Sequence, residues 1–348
     1  MSKLDENQDK HSFLTSPSRR KFLTGLAALG AGTLIAPGVL GGAQPAGQTA
    51  GTLKKRPRRI DVHHHASLPS ATPWQRTTQT GPAPVQWTPS TALEMMDQGG
   101  CDLAILSSGG NDGPLCRKYN DYMAKMVSDY PGRFGMFTSL PFPDIDGTLK
   151  EIEYGMDTLK ADGVRLGTSY NGKWLGDPVF GPVFEELNRR KAVLYTHPGA
   201  PSCCQRLVPG IADSTIEFGT DTTRAIVKMV YSGNSARYPD MRVIFSHAGG
   251  TMPFLTVRLI KDATMVPNGF LAEAGRFYYD TAQTAGATSM SALKAAVPMS
   301  HIVFGTDYPF LTVANTAKGI KDSKVFTAQE LQQIDNGNAL QLFPKYAV

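Results

Sequence analysis

The chain has 348 residues, of which 41% are hydrophobic, and a single barrel domain of roughly 250 residues would use most of that length. The formal charge of +5 is misleading, because residues 1–60 carry ten Lys and Arg against three Asp and Glu, which leaves 25 against 27 in the remainder. The remainder therefore lacks the basic surface that nucleic acid requires, and nucleic acid is excluded as a partner.

The first 43 residues have the pattern of a twin-arginine export signal. The run S-R-R-K-F-L from Ser18 to Leu23 precedes a Gly/Ala-rich apolar run from Leu26 to Leu40. That run is about 15 residues long and contains a proline, short of the roughly 20 residues that a membrane span needs. We expect export by the twin-arginine machinery to the periplasm or the cell exterior, no stable membrane span, and a linker over 44–58. A basic, unstructured N-terminus is the alternative.

Histidines and one aspartate close a series of apolar, β-rich runs. His63 and His65 stand two residues apart in I-D-V-H-H-H, so their side chains share a face of a strand. His197, His247 and Asp307 each end a later run of the same kind. Imidazoles on one face are able to bind one metal ion, and the shared placement predicts that the later residues complete its site.

Eight such runs alternate with helical patterns. This alternation is typical of a parallel sheet, and eight repeats favour a closed (β/α)8 TIM-like barrel with its active site at the C-terminal ends of the strands. We expect a covering loop over Ala66–Thr88, a first helix capped by Ser90 and ended by Gly99-Gly100, and a closing helix over Ala328–Leu342. The predicted strands are 60–65, 102–108, 133–140, 163–169, 192–197, 242–247, 277–281 and 301–307, and the remaining helices are 119–130, 149–159, 179–190, 215–231, 253–261 and 289–296.

Three further polar residues have less definite roles. Asp61 is two residues before His63, so it either orients a ligand histidine or is buried deeper in the barrel as a structural carboxylate. His64 faces the other way from its neighbours and is expected to pack or to support the site. His301 opens its strand at the end opposite the site, and neither histidine is assigned to catalysis.

The motifs resemble the amidohydrolase superfamily, in the branch that contains aminocarboxymuconate-semialdehyde decarboxylase and 6-methylsalicylate decarboxylase. The likeness runs from about Arg59 to the end, with I-D-V-H-H-H, T-H-P-G, F-S-H-A-G-G and F-G-T-D-Y-P in the family's order. The run from Thr168 to Lys191, which begins T-S-Y-N-G-K-W-L-G-D-P, is especially similar to the 6-methylsalicylate decarboxylase group. A metal-dependent barrel domain over 59–348 is the expectation.

This resemblance implies a role for each residue at the strand ends. His63, His65, His197 and Asp307 would hold one divalent ion, Zn²⁺ or Mn²⁺. His247 corresponds to the general acid/base of the family. The bridging carbamylated lysine of two-metal relatives has no counterpart, since the fourth strand contains no lysine, and one metal is therefore expected.

Two arginines are candidates for binding a substrate carboxylate. Arg165 lies near the end of the fourth strand, and a guanidinium pairs with a carboxylate through two hydrogen bonds; a barrel arginine paired internally is the alternative. Arg76 is the competitor, because the long first loop supplies a substrate-binding arginine in some relatives. Trp74, Trp87 and Trp174 are candidates either for the walls of an aromatic pocket or for loop anchors.

Three functions are compatible with the implied site. The resemblance over 168–191 favours non-oxidative decarboxylation of a small aromatic acid such as 6-methylsalicylate, in which His247 or Asp307 delivers a proton to the ring carbon that bears the carboxylate. Hydrolysis of a lactone or amide would use the same residues. An exported protein that binds an aromatic acid without turnover is the third.

The four cysteines have no metal-binding spacing and are expected to be packing residues or loop thiols. Cys203 and Cys204 are adjacent, which disfavours a disulfide between them, while a bond from Cys204 to Cys101 or Cys116 stays open. Relatives in the family are often dimers or tetramers, so the resemblance also allows a homo-oligomer.

Overall fold

A computed structural model describes residues 58–78, 81–110 and 112–347. The expected export signal over 1–43 and nearly all of the linker over 44–58 lie outside these residues, and both stay predictions. Within the described ranges, no helix combines the length and the apolar character that crossing a bilayer demands.

Eight parallel strands form the predicted barrel. Strands that follow one another along the chain pair side by side, and the last returns to the first. Hydrogen bonds from Val62 N to Phe304 O (3.0 Å) and from His65 N to Tyr308 O (2.8 Å) close the sheet. The strands are β1 (Ile60–His65), β2 (Leu103–Ser107), β3 (Phe134–Ser139), β4 (Gly163–Gly167), β5 (Val193–His197), β6 (Arg242–Phe245), β7 (Tyr278–Asp280) and β8 (Ile302–Val303).

Helices follow the strands on the outside of the barrel, and each predicted helix is found with shifted ends. The first begins earlier than expected, because Thr88 rather than Ser90 caps it by accepting a hydrogen bond from Thr91 N. The helices are α1 (Pro89–Gly99), α2 (Gly113–Asp129), α3 (Ile145–Glu153), α4 (Gly181–Arg189), α5 (Asp213–Tyr231), α6 (Met252–Leu259), α7 (Ala287–Ala296), α8 (Val313–Asp322), α9 (Ala328–Gln332) and α10 (Asn338–Leu342), with short helices at Asn234–Arg237 and Phe270–Ala274.

The apolar pattern does not predict α8. The buried positions of this helix are Val313, Thr316 and Ile320, so one of three inward side chains is polar and the helical period is weak. The helix predicted over 328–342 is a separate feature. It consists of α9 and α10, joined by a π-helical turn at Gln333–Gly337.

The segment predicted as a covering loop contains a β-hairpin. Residues Trp74–Thr78 pair antiparallel with Gly81–Val85. The hairpin places the ring of Trp74 6.0 Å from that of His65 at the end of β1. A shorter hairpin over 169–174 follows β4. The segment after β1 thus has regular structure, and one of its side chains reaches the barrel mouth.

The barrel interior forms a core of its own, separate from the layer between strands and helices. Its N-terminal end is closed by α10 and the residues that follow, so the C-terminal segment acts as a plug. The interior consists of Ile60, Val62, Leu103, Ile105, Phe137, Val193, Tyr195, Ile244 and Val303, and the plug of Ala339, Leu340, Leu342, Phe343 and Tyr346.

Phe343 makes the contribution of this plug measurable. Its side chain is 3% exposed, and its ring lies 6.0 Å from that of Phe137. Phe343→Ala is expected to lower the free energy of unfolding by about 3–5 kcal/mol, because it removes a buried ring and leaves a cavity. Phe254→Ala is the matched control in urea denaturation, since Phe254 is 83% exposed and should cost less than about 0.5 kcal/mol. Equal losses in the two variants would contradict this role.

All four cysteines lie within the described residues and are free thiols. Cys101, Cys116 and Cys204 are buried, whereas Cys203 is exposed. These positions agree with packing residues and a loop thiol, and Cys204 is bonded to neither of the other buried cysteines.

Candidate metal centre and active site

A β-bulge in β1 decides which side chains enter the barrel. From Asp61 to His64 the register with β2 slips, so three steps along β1 match two along β2. Because of this slip, Asp61 and His64 both face outward, and His64 Nδ1 lies 3.1 Å from Asp61 Oδ2. His63 and His65 face the interior of the barrel. The expectation that Asp61 shares a face with His63 is therefore wrong. Its carboxylate instead ties β1 to β8, by accepting hydrogen bonds from Thr306 N (3.0 Å) and Thr306 Oγ1 (2.6 Å).

Four side chains converge at the C-terminal end of the barrel. They are His63 and His65 of β1, His197 of β5, and Asp307 beyond β8, and their candidate ligand atoms all lie within 4.8 Å of one another. From Asp307 Oδ1 the distance to Nε2 is 2.8 Å for His65, 3.1 Å for His63 and 3.9 Å for His197. The structure thus brings together the four residues that the resemblance assigns to a metal.

The chemistry of this cluster fits a single divalent ion. The Nε2 atoms of His63 and His197 are buried without a hydrogen-bond partner among the described residues, and both face the Asp307 carboxylate. Three imidazoles and one carboxylate are ligands that Zn²⁺ and Mn²⁺ accept, and they leave coordination positions for water or a substrate oxygen. The cluster therefore has the composition and the free donor atoms of a mononuclear metal site.

Hydrogen bonds on the far side of two imidazoles direct their Nε2 atoms at the cluster. His63 Nδ1 lies 2.8 Å from Asp280 Oδ2, with both side chains fully buried, and His197 Nδ1 lies 2.9 Å from Pro198 O. Such partners keep Nδ1 protonated and leave Nε2 free for a metal. Asp280 was not among the predicted site residues, although its place at the end of β7 parallels that of Asp307 after β8.

His247 lies beside the cluster without belonging to it. Its ring centroid is 5.0 Å from that of His63 and 5.5 Å from that of His197. Its Nδ1 donates to Ala282 O at 3.2 Å, whereas Nε2 is buried without a partner among the described residues. The backbone φ of His247 is 55°, a conformation that residues with a side chain adopt rarely.

Arg165 points into the barrel from β4, since its neighbours Val164 and Leu166 belong to the outer core. Its guanidinium reaches towards the mouth and lies against Gly109, where a Cβ would be 3.5 Å from Nη1. Its Nε is buried without a hydrogen-bond partner, and no carboxylate of a described residue pairs with the guanidinium. The alternative of an internally paired barrel arginine therefore has no partner to support it.

The structure separates the remaining candidates. Arg76 lies in the first hairpin, but its side chain is outside the described part of the chain, so its substrate-binding role stays a prediction. Of the three tryptophans, Trp74 alone neighbours a candidate ligand. Trp87 is buried in the outer core, and Trp174 is a loop anchor that donates to Asp221 at 2.6 Å.

Several neighbours of the cluster carried no signal in the sequence. Gln283 Nε2 donates to Asp307 Oδ2 at 3.1 Å. Phe310 lies 5.9 Å from the ring of His65, and Phe218 lies 6.1 Å from the ring of His197. Phe310 directly follows the motif F-G-T-D-Y-P and Phe218 lies in α5, but only the fold identifies both rings as apolar walls of the site.

Burial and charge act differently on the four candidate ligands. Burial lowers the pKa of His65 and holds that of His197 well below its usual range. For His63 burial is outweighed by the carboxylates of Asp280 and Asp307, which raise the pKa to about 10. Burial raises the pKa of Asp307, but the charge of His63 and the close approach of the three imidazoles hold this pKa well below its usual range. In the absence of a metal these shifts favour one proton beyond those of neutral imidazoles, on His63.

Metal binding is expected to displace this single proton. Below pH 10 the proton and the metal compete for His63, so the apparent affinity for Mn²⁺ should rise about tenfold per pH unit between about pH 6 and 7.5. Competition with a chelator of known pH dependence measures the slope of the logarithm of the Mn²⁺ affinity against pH. A slope of zero would mean that none of the three histidines is positively charged before the metal binds. A slope of three would mean that all three are.

The amidohydrolase family model matches residues 60–345. The chain belongs to the amidohydrolase family. This amidohydrolase is 35% identical over 323 residues to decarboxylase yanB of Aspergillus niger, across 83% of this chain and 88% of that protein. It is 32% identical over 317 residues to 6-methylsalicylic acid decarboxylase of Penicillium expansum, across 82% of this chain and 96% of that protein.

A solved structure shares the fold of this amidohydrolase. It is the dihydroxybenzoic acid decarboxylase of Polaromonas sp. JS666 with bound manganese and the inhibitor 2-nitroresorcinol. The TM-score is 0.67 at 20% sequence identity, over 82% of this chain and 96% of that chain.

Proposed function

We propose that this amidohydrolase is a metal-dependent carboxy-lyase that decarboxylates a small aromatic acid of the hydroxybenzoate type, such as 6-methylsalicylate, without oxidation. The observation that carries the proposal is the guanidinium of Arg165, which faces the barrel mouth that also holds the metal cluster and pairs with no carboxylate of a described residue. A half-buried arginine that lacks such a partner among the described residues is suited to a carboxylate ligand. The names of the relatives supply the aromatic class of that ligand.

His63, His65, His197 and Asp307 would hold the ion in this proposal. A divalent ion held there would supply a positive charge that stabilises negative charge on the oxygens of the substrate. The ligand chemistry accommodates both zinc and manganese, and the manganese in the Polaromonas structure supports the second.

The reaction needs one proton at one carbon atom. As the bond between the ring and the carboxylate breaks, CO₂ leaves and the electron pair stays on the ring carbon, which must gain a proton in exchange. The phenol group of the substrate is able to supply that proton, and the product then takes another from water at its oxygen. The site must therefore hold a group that accepts and donates a proton over a short distance.

His247 is better placed for this transfer than Asp307. Its Nδ1–H is bonded to Ala282 O, so Nε2 is the exchanging atom, and Nε2 has no competing partner among the described residues. Burial lowers the pKa of His247, which keeps the ring neutral and ready to accept a proton. Asp307 is ionised, and its Oδ2 already accepts a hydrogen bond from Gln283.

The walls of the site suit a flat, apolar ring. Trp74 and Phe310 stand 5.8 Å apart on the side of His65, and Phe218 lies on the side of His197. Aromatic side chains bind such a ring through large contact area and edge-to-face packing. The carboxylate of the bound acid would then reach Arg165 while its ring carbon lies near His247.

The test is CO₂ release by the metal-loaded protein from a panel of hydroxybenzoates that includes 6-methylsalicylate. We expect metal-dependent release together with the corresponding phenol in equal amount. Turnover of lactones or amides, with no CO₂ from any hydroxybenzoate, would move the protein to the hydrolases. Binding of the acids without formation of any product would show that the protein binds aromatic acids and does not turn them over.

Arg165→Met is expected to raise the KM for the aromatic acid and to lower kcat/KM about 10- to 100-fold, because a charge-assisted pair to the carboxylate is lost. Inhibition by the phenol product is the control, since the phenol has no carboxylate and should bind both proteins alike. Steady-state kinetics measures both values. Equal weakening of the acid and the phenol would show that Arg165 shapes the pocket rather than binding the carboxylate.

We also propose that the chain is exported through the twin-arginine machinery to the periplasm or the cell exterior. The pair Arg19-Arg20 ahead of the apolar run supports this proposal. Arg19→Lys combined with Arg20→Lys should retain the protein in the cytoplasm, as cell fractionation would report. A homo-oligomer remains part of the proposal on the resemblance alone, and light scattering of the full chain measures it.

A further inference from the structure

The end of β7 and the turn after it reach into the site, although they supply no candidate metal ligand. The last residue of β7, Asp280, is fully buried. Asp280 Oδ2 lies 2.8 Å from His63 Nδ1, while Oδ1 accepts hydrogen bonds from His247 N (2.8 Å) and Ala282 N (3.0 Å). One carboxylate therefore joins a candidate metal ligand of β1 to the candidate proton carrier beyond β6.

The same turn makes two more contacts with the site. Ala282 O accepts the hydrogen bond from His247 Nδ1, and Gln283 Nε2 donates to Asp307 Oδ2. Gln283 holds a φ of 57°, in the left-handed region that residues with a side chain rarely occupy. Such conformations persist where the surroundings fix them, and here they aim the amide at Asp307.

We propose that Asp280 is the positioning residue that couples the metal ligand His63 to the proton carrier His247. It keeps the proton of His63 on Nδ1, which leaves Nε2 for the metal, and it fixes the backbone of His247 by the other oxygen. The coupling to catalysis rests on the function proposed above. The coupling to metal binding does not depend on the identity of the substrate.

The geometry requires a carboxylate at this position. Donors approach it from two sides, with the ring N–H of His63 on one oxygen and two backbone N–H groups on the other. An amide has one acceptor atom, so an asparagine would turn a donor towards one of the two sides. Because two backbone donors outnumber one ring donor, the amide oxygen should stay with His247 N and Ala282 N, and the NH₂ group should face His63.

Asp280→Asn is therefore expected to weaken Mn²⁺ binding about 10- to 100-fold, the usual effect of losing the carboxylate partner of a ligand histidine. Asp280→Ala should lose the same metal affinity and, in addition, the anchor of His247. At saturating Mn²⁺ the alanine variant should thus have a lower kcat than the asparagine variant. The two substitutions separate the two halves of the proposal.

Asp221→Asn is the matched control. Asp221 is likewise a fully buried carboxylate with several donors, but these donors are Thr168, Ser169 and Trp174, none of which is a candidate ligand. Its Mn²⁺ affinity should stay within about threefold of the native value, well short of the effect of losing a partner of a ligand histidine.

The experiment uses the full chain, with Mn²⁺ affinity from chelator competition and folding from circular dichroism and thermal melting. Native-like Mn²⁺ affinity in folded Asp280→Asn would overturn the proposal, as would an equal loss in Asp221→Asn. Equal kcat values for the asparagine and alanine variants at saturating metal would overturn the coupling to His247. If the alanine variant does not fold, Asp280→Asn alone decides the metal-binding half and Asp280→Ser replaces alanine in the kcat comparison. A protein that binds Mn²⁺ as expected but releases no CO₂ would refute the proposed function and leave the metal-binding role of Asp280 standing.

Discussion

His247→Ala is expected to retain its metal and to release CO₂ at least about 100-fold more slowly than the native protein, since general acid–base catalysis contributes about 10²- to 10⁴-fold. The ring of His247 neighbours the metal cluster, but the candidate ligands among the described residues are His63, His65, His197 and Asp307. Loss of the His247 ring should therefore lower kcat, whereas the metal content, measured by elemental analysis, should stay at one ion per chain.

His301→Ala is the matched control for this variant. His301 is a second partly buried histidine with a lowered pKa, caused by burial, but its ring lies in a tilted contact 4.4 Å from that of Tyr278, at the N-terminal end of the barrel. Its substitution should leave kcat within about twofold, because surface and distal changes rarely alter a site beyond their cost in stability. A similar fall in kcat for both histidines would show that the loss is a general effect of cutting away a buried ring.

Removal of the metal is the second change with a large expected effect. Dialysis against a chelator should reduce CO₂ release by at least about a thousandfold, since a metal supplies several kcal/mol of charge stabilisation. Addition of one equivalent of Mn²⁺ or Zn²⁺ should restore it, and the better of the two identifies the ion that suits the site. His197→Ala, which lacks one of the four candidate ligands, should need far more metal for the same recovery.

Magnesium added to the stripped protein is the control for non-specific effects of a divalent cation. Mg²⁺ prefers six oxygen ligands, so a cluster of three imidazoles and one carboxylate should bind it poorly. Full activity in the stripped protein, or equal recovery with all three ions, would contradict a metal role for this cluster.

The barrel was predictable from the period of the sequence, and the four candidate ligands from the resemblance to the family, which selects them among the polar residues at the strand ends. Each strand is an apolar run, and each ligand residue stands at its C-terminal end, where the fold gathers strand ends into one mouth. The helix α8 was missed, since a threonine occupies one of its three buried positions. The sequence thus predicts the strand ends and the alternation of strands and helices, but it does not predict a helix with a polar inward residue.

The supporting residues were less predictable, because they depend on register and tertiary contact. A one-residue bulge in β1 places Asp61 on the face opposite to His63, and no local sequence pattern predicts such a bulge. Asp280 has the same residue type and the same strand-end placement as a ligand. Its hydrogen-bond partners, His63 and His247, are known only once the strands are assembled in the barrel. Gln283 is aimed at Asp307 by a backbone conformation that its residue type does not favour.

The closure of the barrel by β1 and β8 has a consequence for the order of events during synthesis. Two candidate ligands come from the first strand, whereas Asp307 comes after the last. A growing chain on the ribosome therefore presents an incomplete ligand set until the seam between those strands has closed. Before that point at most three of the four candidate ligands are together, so the complete set marks a closed barrel.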